Sequence, residues 1–331
     1  MKMKFKLLFS FILLAGSTFA QDIHWSQFND NQLYQNPAHA GHFDGDYRFI
    51  GNYRDQWRSV TVPFSTFSTS VDARFKKWGL GVLAFHDQAG DGKFRTIELQ
   101  GNISRSFKLT KDSSNVLRIG ANFGMNHRQI NWDLLYFDNQ YNGYIFDPTA
   151  PTNENYQSAR RTNSSVGVGA LYERNLKGRN KILTGFSSFN LNQPNQGFYT
   201  EEIKRDIRYS GFVKAFIELN PQWDIVPSIQ YSHQGIYREL LVGSSMKYYL
   251  SQKPKSYQAI YFGAWNRGND AAYLSLGYDY NDFFVGLSYD INYSKLVPAS
   301  NLRGGVELAL RYVIRKFKPK RIIHRVCPDY I

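Results

Sequence analysis

The chain has 331 residues, of which 42% are hydrophobic and 16% aromatic, and it carries a net charge of +13. Its mean hydropathy is nevertheless negative. After the N-terminus no stretch approaches the ~20 uninterrupted apolar residues of a spanning helix, and no heptad, collagen repeat or long charge run dominates. Two classes remain: a large soluble β protein, or a membrane β-barrel whose apolar outer face and polar lumen average to mild hydrophilicity.

The first 20 residues read as a signal peptide. Lys2, Lys4 and Lys6 precede an apolar run over 7–14, and small residues lead to a cleavage point after Ala20. The mature chain would begin at Gln21 and be exported, and loss of three lysines would leave about +10. Cys327 is the single cysteine, so no intrachain disulfide can form.

Residues 21–44 are too mixed for a membrane strand and are expected to form a periplasmic or plug segment. His39, His42, Asp44 and Asp46 offer metal-ligand types, but no Cys and no helix set their geometry, so they read as a solvated approach to the first strand.

Residues 45–315 alternate with period two. About fourteen strands are predicted, near 45–57, 65–75, 77–88, 93–108, 114–128, 163–175, 179–191, 207–219, 222–235, 237–250, 256–267, 271–280, 283–292 and 302–315. In the last, Val306, Leu308, Leu310 and Tyr312 share one face while Glu307, Ala309 and Arg311 share the other. In the first, Tyr47, Phe49, Tyr53 and Trp57 oppose Arg48, Asn52, Arg54 and Gln56. A soluble sandwich also alternates, but strands of about 10–14 residues, aromatics at strand ends and a Gly/Ser/Asn/Arg-rich polar face favour a transmembrane antiparallel β-barrel. Loop length is segregated by parity. Even-to-odd connections are tight, whereas the long ones, 131–161 and 192–206, both fall on odd-to-even connections, as in outer-membrane barrels with long loops on one rim.

Chemistry is sparse. His86 and Asp87 lie at a strand end, but neighbours on a strand point to opposite faces, which argues against a base and its orienting partner. Inward Arg48, Arg54 and Arg118 need carboxylates, and Asp279, Asp290 and Glu307 face inward on the last three strands. Closure brings the last strand beside the first, so an ion network joining Arg48 or Arg54 to Glu307 is expected. Residues 316–331 form a basic tail, with Arg321 and Cys327 as candidate partner contacts. It reads as attracted to anionic head groups or an acidic periplasmic partner, and not to nucleic acid.

Several motifs together resemble the PorP/SprF family of outer-membrane proteins from type IX secretion and gliding systems of Bacteroidetes. They are Trp25-Ser-Gln-Phe28, Tyr34-Gln-Asn-Pro-Ala-His-Ala-Gly41, Tyr53-Arg-Asp-Gln-Trp57, Gly79-Leu-Gly81 with His86-Asp87, Gly185-Phe-Ser187 with Gln193-Pro194, and Ser288-Tyr-Asp290 with Glu307 through Tyr312 and Cys327-Pro328. The chain departs from the family at Arg303-Gly-Gly-Val-Glu307, where a His is frequent. The motif and lumen residues are Asn36, Pro37, Gly41, Arg54, Gln56, Trp57, Asp290 and Glu307. The resemblance implies an outer-membrane accessory barrel that binds or retains a secreted cargo protein through that cargo's C-terminal domain. Its partners would be a periplasmic component of the machinery and outer-membrane lipid. It implies neither catalysis nor a cofactor or metal. The alternative is a passive porin or small-solute transporter; a hydrolase at the rim is a third reading.

Overall fold

The computed structural model describes residues 22–56, 62–154, 158–199, 202–253, 255–294 and 297–315. The signal peptide, Trp57 and the basic tail with Arg321 and Cys327 lie outside the described residues.

Fourteen antiparallel strands close into one barrel, each paired with its neighbours in sequence and β1 paired with β14. They are β1 (Tyr47–Gln56), β2 (Phe64–Phe75), β3 (Trp78–Ala89), β4 (Phe94–Lys108), β5 (Asn115–Gln129), β6 (Arg160–Asn175) and β7 (Lys181–Phe189). The circuit continues with β8 (Arg208–Glu218), β9 (Trp223–Gln234), β10 (Tyr237–Lys253), β11 (Ser256–Arg267), β12 (Ala271–Tyr280), β13 (Phe283–Asn292) and β14 (Arg303–Ile314). Closure satisfies every strand edge, which is what a sheet in lipid requires. Among the described residues no helix is long and apolar enough to cross a membrane.

Alternation decides which side chains face lipid. Leu80, Val82, Ile103, Phe123, Met125, Leu274 and Leu310 are exposed on the outside, although they are large and apolar. Their immediate neighbours, including Ser104, Asn122 and Ala309, are buried inside. Exposed Phe75, Trp78, Phe107, Tyr280, Phe283 and Tyr312 stand near the strand ends of one rim, where amphipathic rings suit a membrane interface. That rim carries the six even-to-odd connections, none longer than six residues, and is called the turn rim. The opposite, loop rim carries the long connections 130–159 and 190–207.

Strand bounds match the alternation to within a few residues; β6 begins earlier than expected, at Arg160, and β10 ends later. The latter runs on to Lys253, with a register shift against β11 between Tyr249 and Ser251. The extra residue of a bulge breaks period two locally, so alternation alone stops short there.

Candidate functional site

Residues 22–46 run through the lumen from the loop rim to the turn rim. Asp22 sits beside Arg205 and Gln234 at the loop rim, and the Asp46 amide bonds to Ile314 at the turn rim. The segment is therefore not a cap on one mouth. It contains short helical turns at Phe28–Asp30, Gln32–Gln35 and Pro37–His39. These short turns are held from outside by contacts to the barrel wall, because four-residue helices do not sustain themselves.

Apolar anchors come first. Trp25, Leu33, Tyr34 and Ala40 pack with Leu83 and Phe85 of β3. Phe28 meets Leu241, Trp265 and Tyr273, its ring edge-on to Trp265 at 5.6 Å. Ala38 meets Leu171, Leu183 and Phe212. Opposite the segment the wall is cut back to glycine. A Cβ on Gly79 would lie 1.9 Å from the Ala40 carbonyl oxygen, one on Gly120 2.5 Å from the Ala38 nitrogen, and one on Gly169 2.1 Å from the Asn36 side chain.

These contacts account for the Asn36-Pro37 motif and its Gly41. Asn36 donates to the backbone carbonyls of Ala170 (3.1 Å) and Phe186 (3.0 Å) on two adjacent strands, and its Oδ1 accepts from the Ala38 amide (2.9 Å). Pro37 opens the next turn, where its missing N–H has no partner to lose. Gly41 has φ +65°, a left-handed conformation open to glycine. Its amide donates to Asp72 at 2.7 Å.

Three charged clusters fix the segment. At the β1–β14 seam Arg54 stands in register with Glu307 and is ion-paired with it. Glu307 also accepts the amides of Ser26 and Gln27, both at 2.7 Å. Asp290 accepts from the Ser26 hydroxyl (2.8 Å), Arg267 (2.8 Å) and Arg54 (3.2 Å). Gln56, half-buried on the same strand, lies against Gly305. The second cluster is Arg48, buried and bidentate to Asp72 at 2.9 and 2.8 Å, and bonded to Gln32. The third joins Asp22 to Arg205 (2.8 Å), which reaches Glu98 (3.2 Å). Burial alone would raise the Asp22 carboxyl, but Arg205 and Arg208 outweigh it and hold it at about 2.

Buried ion pairs of this kind gain their value from complete satisfaction, and losing one partner is costly. Arg54 and Glu307 were readable from alternation plus closure. Ser26, Asp72, Glu98 and Arg267 were not, because the threaded segment supplies or completes their contacts. Their one sequence signal is a charged or hydroxyl residue at an inward position.

His39 and His42 come together, with Nδ1 atoms 3.3 Å apart, and His42 meets Glu173 at 2.7 Å. Asp44 turns away to the turn rim beside Arg315. Among the described residues no group of three or more His, Cys, Asp and Glu is arranged to hold a metal ion. Asp87 faces the lumen and accepts from Thr66 at 2.6 Å, whereas His86 is paired with outward-facing Phe67. The two side chains are thus on opposite faces.

Beside the segment lies a cavity of about 1120 Å³ lined by ten Lys and Arg and five Asp and Glu side chains. It reaches the turn rim at Gln252, Lys253 and Lys255 and ends against Ser26, Gln27, Trp265 and Tyr273.

A closed antiparallel sheet with an apolar outer belt and a polar, occupied lumen defines an outer-membrane β-barrel. The model of one family, the type IX secretion system membrane protein PorP/SprF, matches residues 17–312, and the chain belongs to that family. Comparison with the curated proteins returns no match. In fold the chain is similar to the Ralstonia pickettii toluene transporter TbuX, at 10% identity over 87% of this chain and 94% of that one, with a TM-score of 0.55. It is likewise similar to the Pseudomonas putida toluene transporter TodX, at 12% identity over 88% and 94%, with a TM-score of 0.52. Family and fold place the protein in the outer membrane as a barrel of the type IX secretion system.

Proposed function

We propose that this barrel binds or retains a specific exported cargo protein, engaging the cargo's C-terminal domain at the loop rim. The observation that carries this reading is the form of the two long loops. Trp132 of one loop meets Phe198 (6.2 Å) and Tyr199 (5.9 Å) of the other, and Tyr199 donates to Glu154 (3.3 Å). The joined loops present Tyr136, Tyr141, Tyr144 and Ile145 to solvent, with Tyr144 91% exposed. Clustered exposed apolar residues of this kind mark interaction surfaces, and a rigid scaffold carrying long loops is a common way to present them. Family membership supplies the context of protein export.

In this reading the barrel performs no catalysis. The motif residues Asn36, Pro37, Gly41, Arg54, Asp290 and Glu307 hold the lumenal segment, and Gln56 shares β1 with Arg54. Residues beyond 315, including Arg321 and Cys327, meet a periplasmic component of the machinery.

The test is isolation of the epitope-tagged barrel from outer membranes with identification of bound chains. One exported protein should co-purify through its C-terminal domain, and a Tyr136→Ser/Tyr144→Ser variant should retain about tenfold less of it. Unchanged cargo at the surface of cells lacking the barrel would overturn the reading. A passive porin predicts instead that the full chain conducts in planar bilayers, and the segment crossing the lumen weighs against that.

A further inference from the structure

The lumenal cavity holds more positive charge than the fold itself uses. Arg48 and Arg311 are paired, the first with Asp72 and the second with Asp279 (3.0 Å) and Asp30 (3.7 Å). Arg118, Lys214 and Lys247 form no ion pair among the described residues, and a buried Arg118 Nη1 has no hydrogen-bond partner there. The two lysines are held over aromatic faces instead. Lys214 lies 5.2 Å from the Phe216 ring centre, and Lys247 lies 4.7, 4.9 and 5.4 Å from those of Tyr249, Tyr261 and Tyr257. Ring quadrupoles hold an ammonium in place but supply no countercharge. A low-dielectric recess in which ten Lys and Arg stand against five Asp and Glu carries a net positive field that attracts an anion.

We propose that this cavity is a receptor for a short acidic polypeptide segment of a partner, entering from the turn rim. The cavity ends against the threaded segment, so the turn rim is its mouth, and in outer-membrane barrels the short-turn side faces the periplasm. Its volume exceeds the roughly 300–1,000 Å³ of small-molecule pockets, which fits a stretch of chain. The cations alternate with apolar wall residues, among them Leu183, Phe212, Phe216, Val226 and Phe284. A peptide carries carboxylates and apolar side chains together, whereas an acidic sugar or free phosphate would leave those apolar residues uncovered. The chain's own residues 316–331 carry five Lys and Arg against one Asp, the wrong sign for this recess. The inference is independent of cargo binding at the loops.

The experiment uses the full-length barrel purified in detergent and a dye-labelled peptide of alternating Glu and Leu, followed by fluorescence anisotropy. Binding should saturate, weaken steeply with added salt and fall about tenfold in Lys214→Gln/Lys247→Gln. Arg160→Gln/Arg161→Gln, which removes charge at the loop rim, should leave it unchanged. Lys214→Glu/Lys247→Glu should switch preference to a Lys/Leu peptide of equal length, a rescue that a misfolded barrel could not show. Equal binding of a Ser/Leu peptide would overturn the proposal. So would insensitivity to the lysine substitutions, or displacement by oligogalacturonate or inorganic phosphate as effective as by the peptide. Cargo capture by the Lys214→Gln/Lys247→Gln barrel is scored in parallel, so failure of either reading is seen separately.

Discussion

The two sides of the lumen solve the same problem differently. Along β3, β5 and β6 the inward positions include Gly79, Gly120 and Gly169, and the threaded segment lies against them at backbone contact. Along β8, β10 and β11 they carry Lys214, Lys247 and Tyr261, and there a cavity remains. Where the threaded segment lies, the buried charges that hold it are paired, Arg48 with Asp72, Arg54 with Glu307 and Arg205 with Asp22. On the second side cations outnumber carboxylates. Small inward residues let a second piece of backbone approach and share its amides with buried carboxylates. Long cationic residues cannot be covered by such a segment without stranding their charge, so they face open space where water or an anion can reach them.

Breaking the filled side should cost most. Glu307→Ala leaves Arg54 with Asp290 as its one remaining carboxylate, already shared with Arg267, and the Ser26 and Gln27 amides without acceptors. A loss of about 3–5 kcal/mol is expected, read as a shift in the denaturant midpoint of the detergent-solubilised barrel. The same measurement on Lys247→Gln should move little, and equal shifts would erase the distinction between the two sides.

A smaller effect, about 1–3 kcal/mol, is expected from overfilling. Gly120→Leu would drive a side chain into the Ala38 backbone, which cannot yield as a flexible side chain would. Proteolysis of the intact barrel should then cut within 22–46, where the parent chain resists. Gly51→Ala, with nothing within 4 Å of the added Cβ, is the control that should behave like the parent.

The smallest effect is with pH. His24 accepts hydrogen bonds at Nε2 from Arg267 (3.1 Å) and Arg54 (3.3 Å), since an arginine can only donate. Burial first, then these two guanidinium groups, push its pKa well below the ordinary histidine range. Below about pH 6.5 the unfolded chain takes up a proton that the folded chain refuses, so stability falls as pH falls. Between pH 7 and 5.5 the loss at this site should be about 1 kcal/mol. His24→Gln should flatten the pH dependence of the unfolding midpoint by that amount; an unchanged slope would show that His24 is not held neutral.

Much of the architecture was legible because a membrane imposes period two on every strand. Alternation in β13 and β14 gave the outward set Val285, Leu287, Val306 and Leu308 and the inward set Ser288, Asp290 and Glu307, and the parity of loop lengths gave the rims. Closure then set Arg48 or Arg54 beside Glu307; Arg54 makes that contact, between residues 253 positions apart, while Arg48 goes to Asp72. The reading failed where a second chain segment enters. Asn36 is marked by the family motif, which does not say what it touches; it bridges β6 and β7. Asp72 belongs to no motif and to no expected ion pair, yet it receives both Arg48 and the Gly41 amide.

The sequence by itself determined the approximate strand number, much of the lipid-facing set and the inward positions of Arg48, Arg54, Arg118, Asp279, Asp290 and Glu307, because those follow from local alternation and from the need to close every edge. Only the tertiary structure decided which inward charges meet, that residues 22–46 cross the lumen from end to end, and that a basic cavity remains beside them. Those depend on how far opposing walls stand apart and on what threads between them, distances that no pattern along a single strand records.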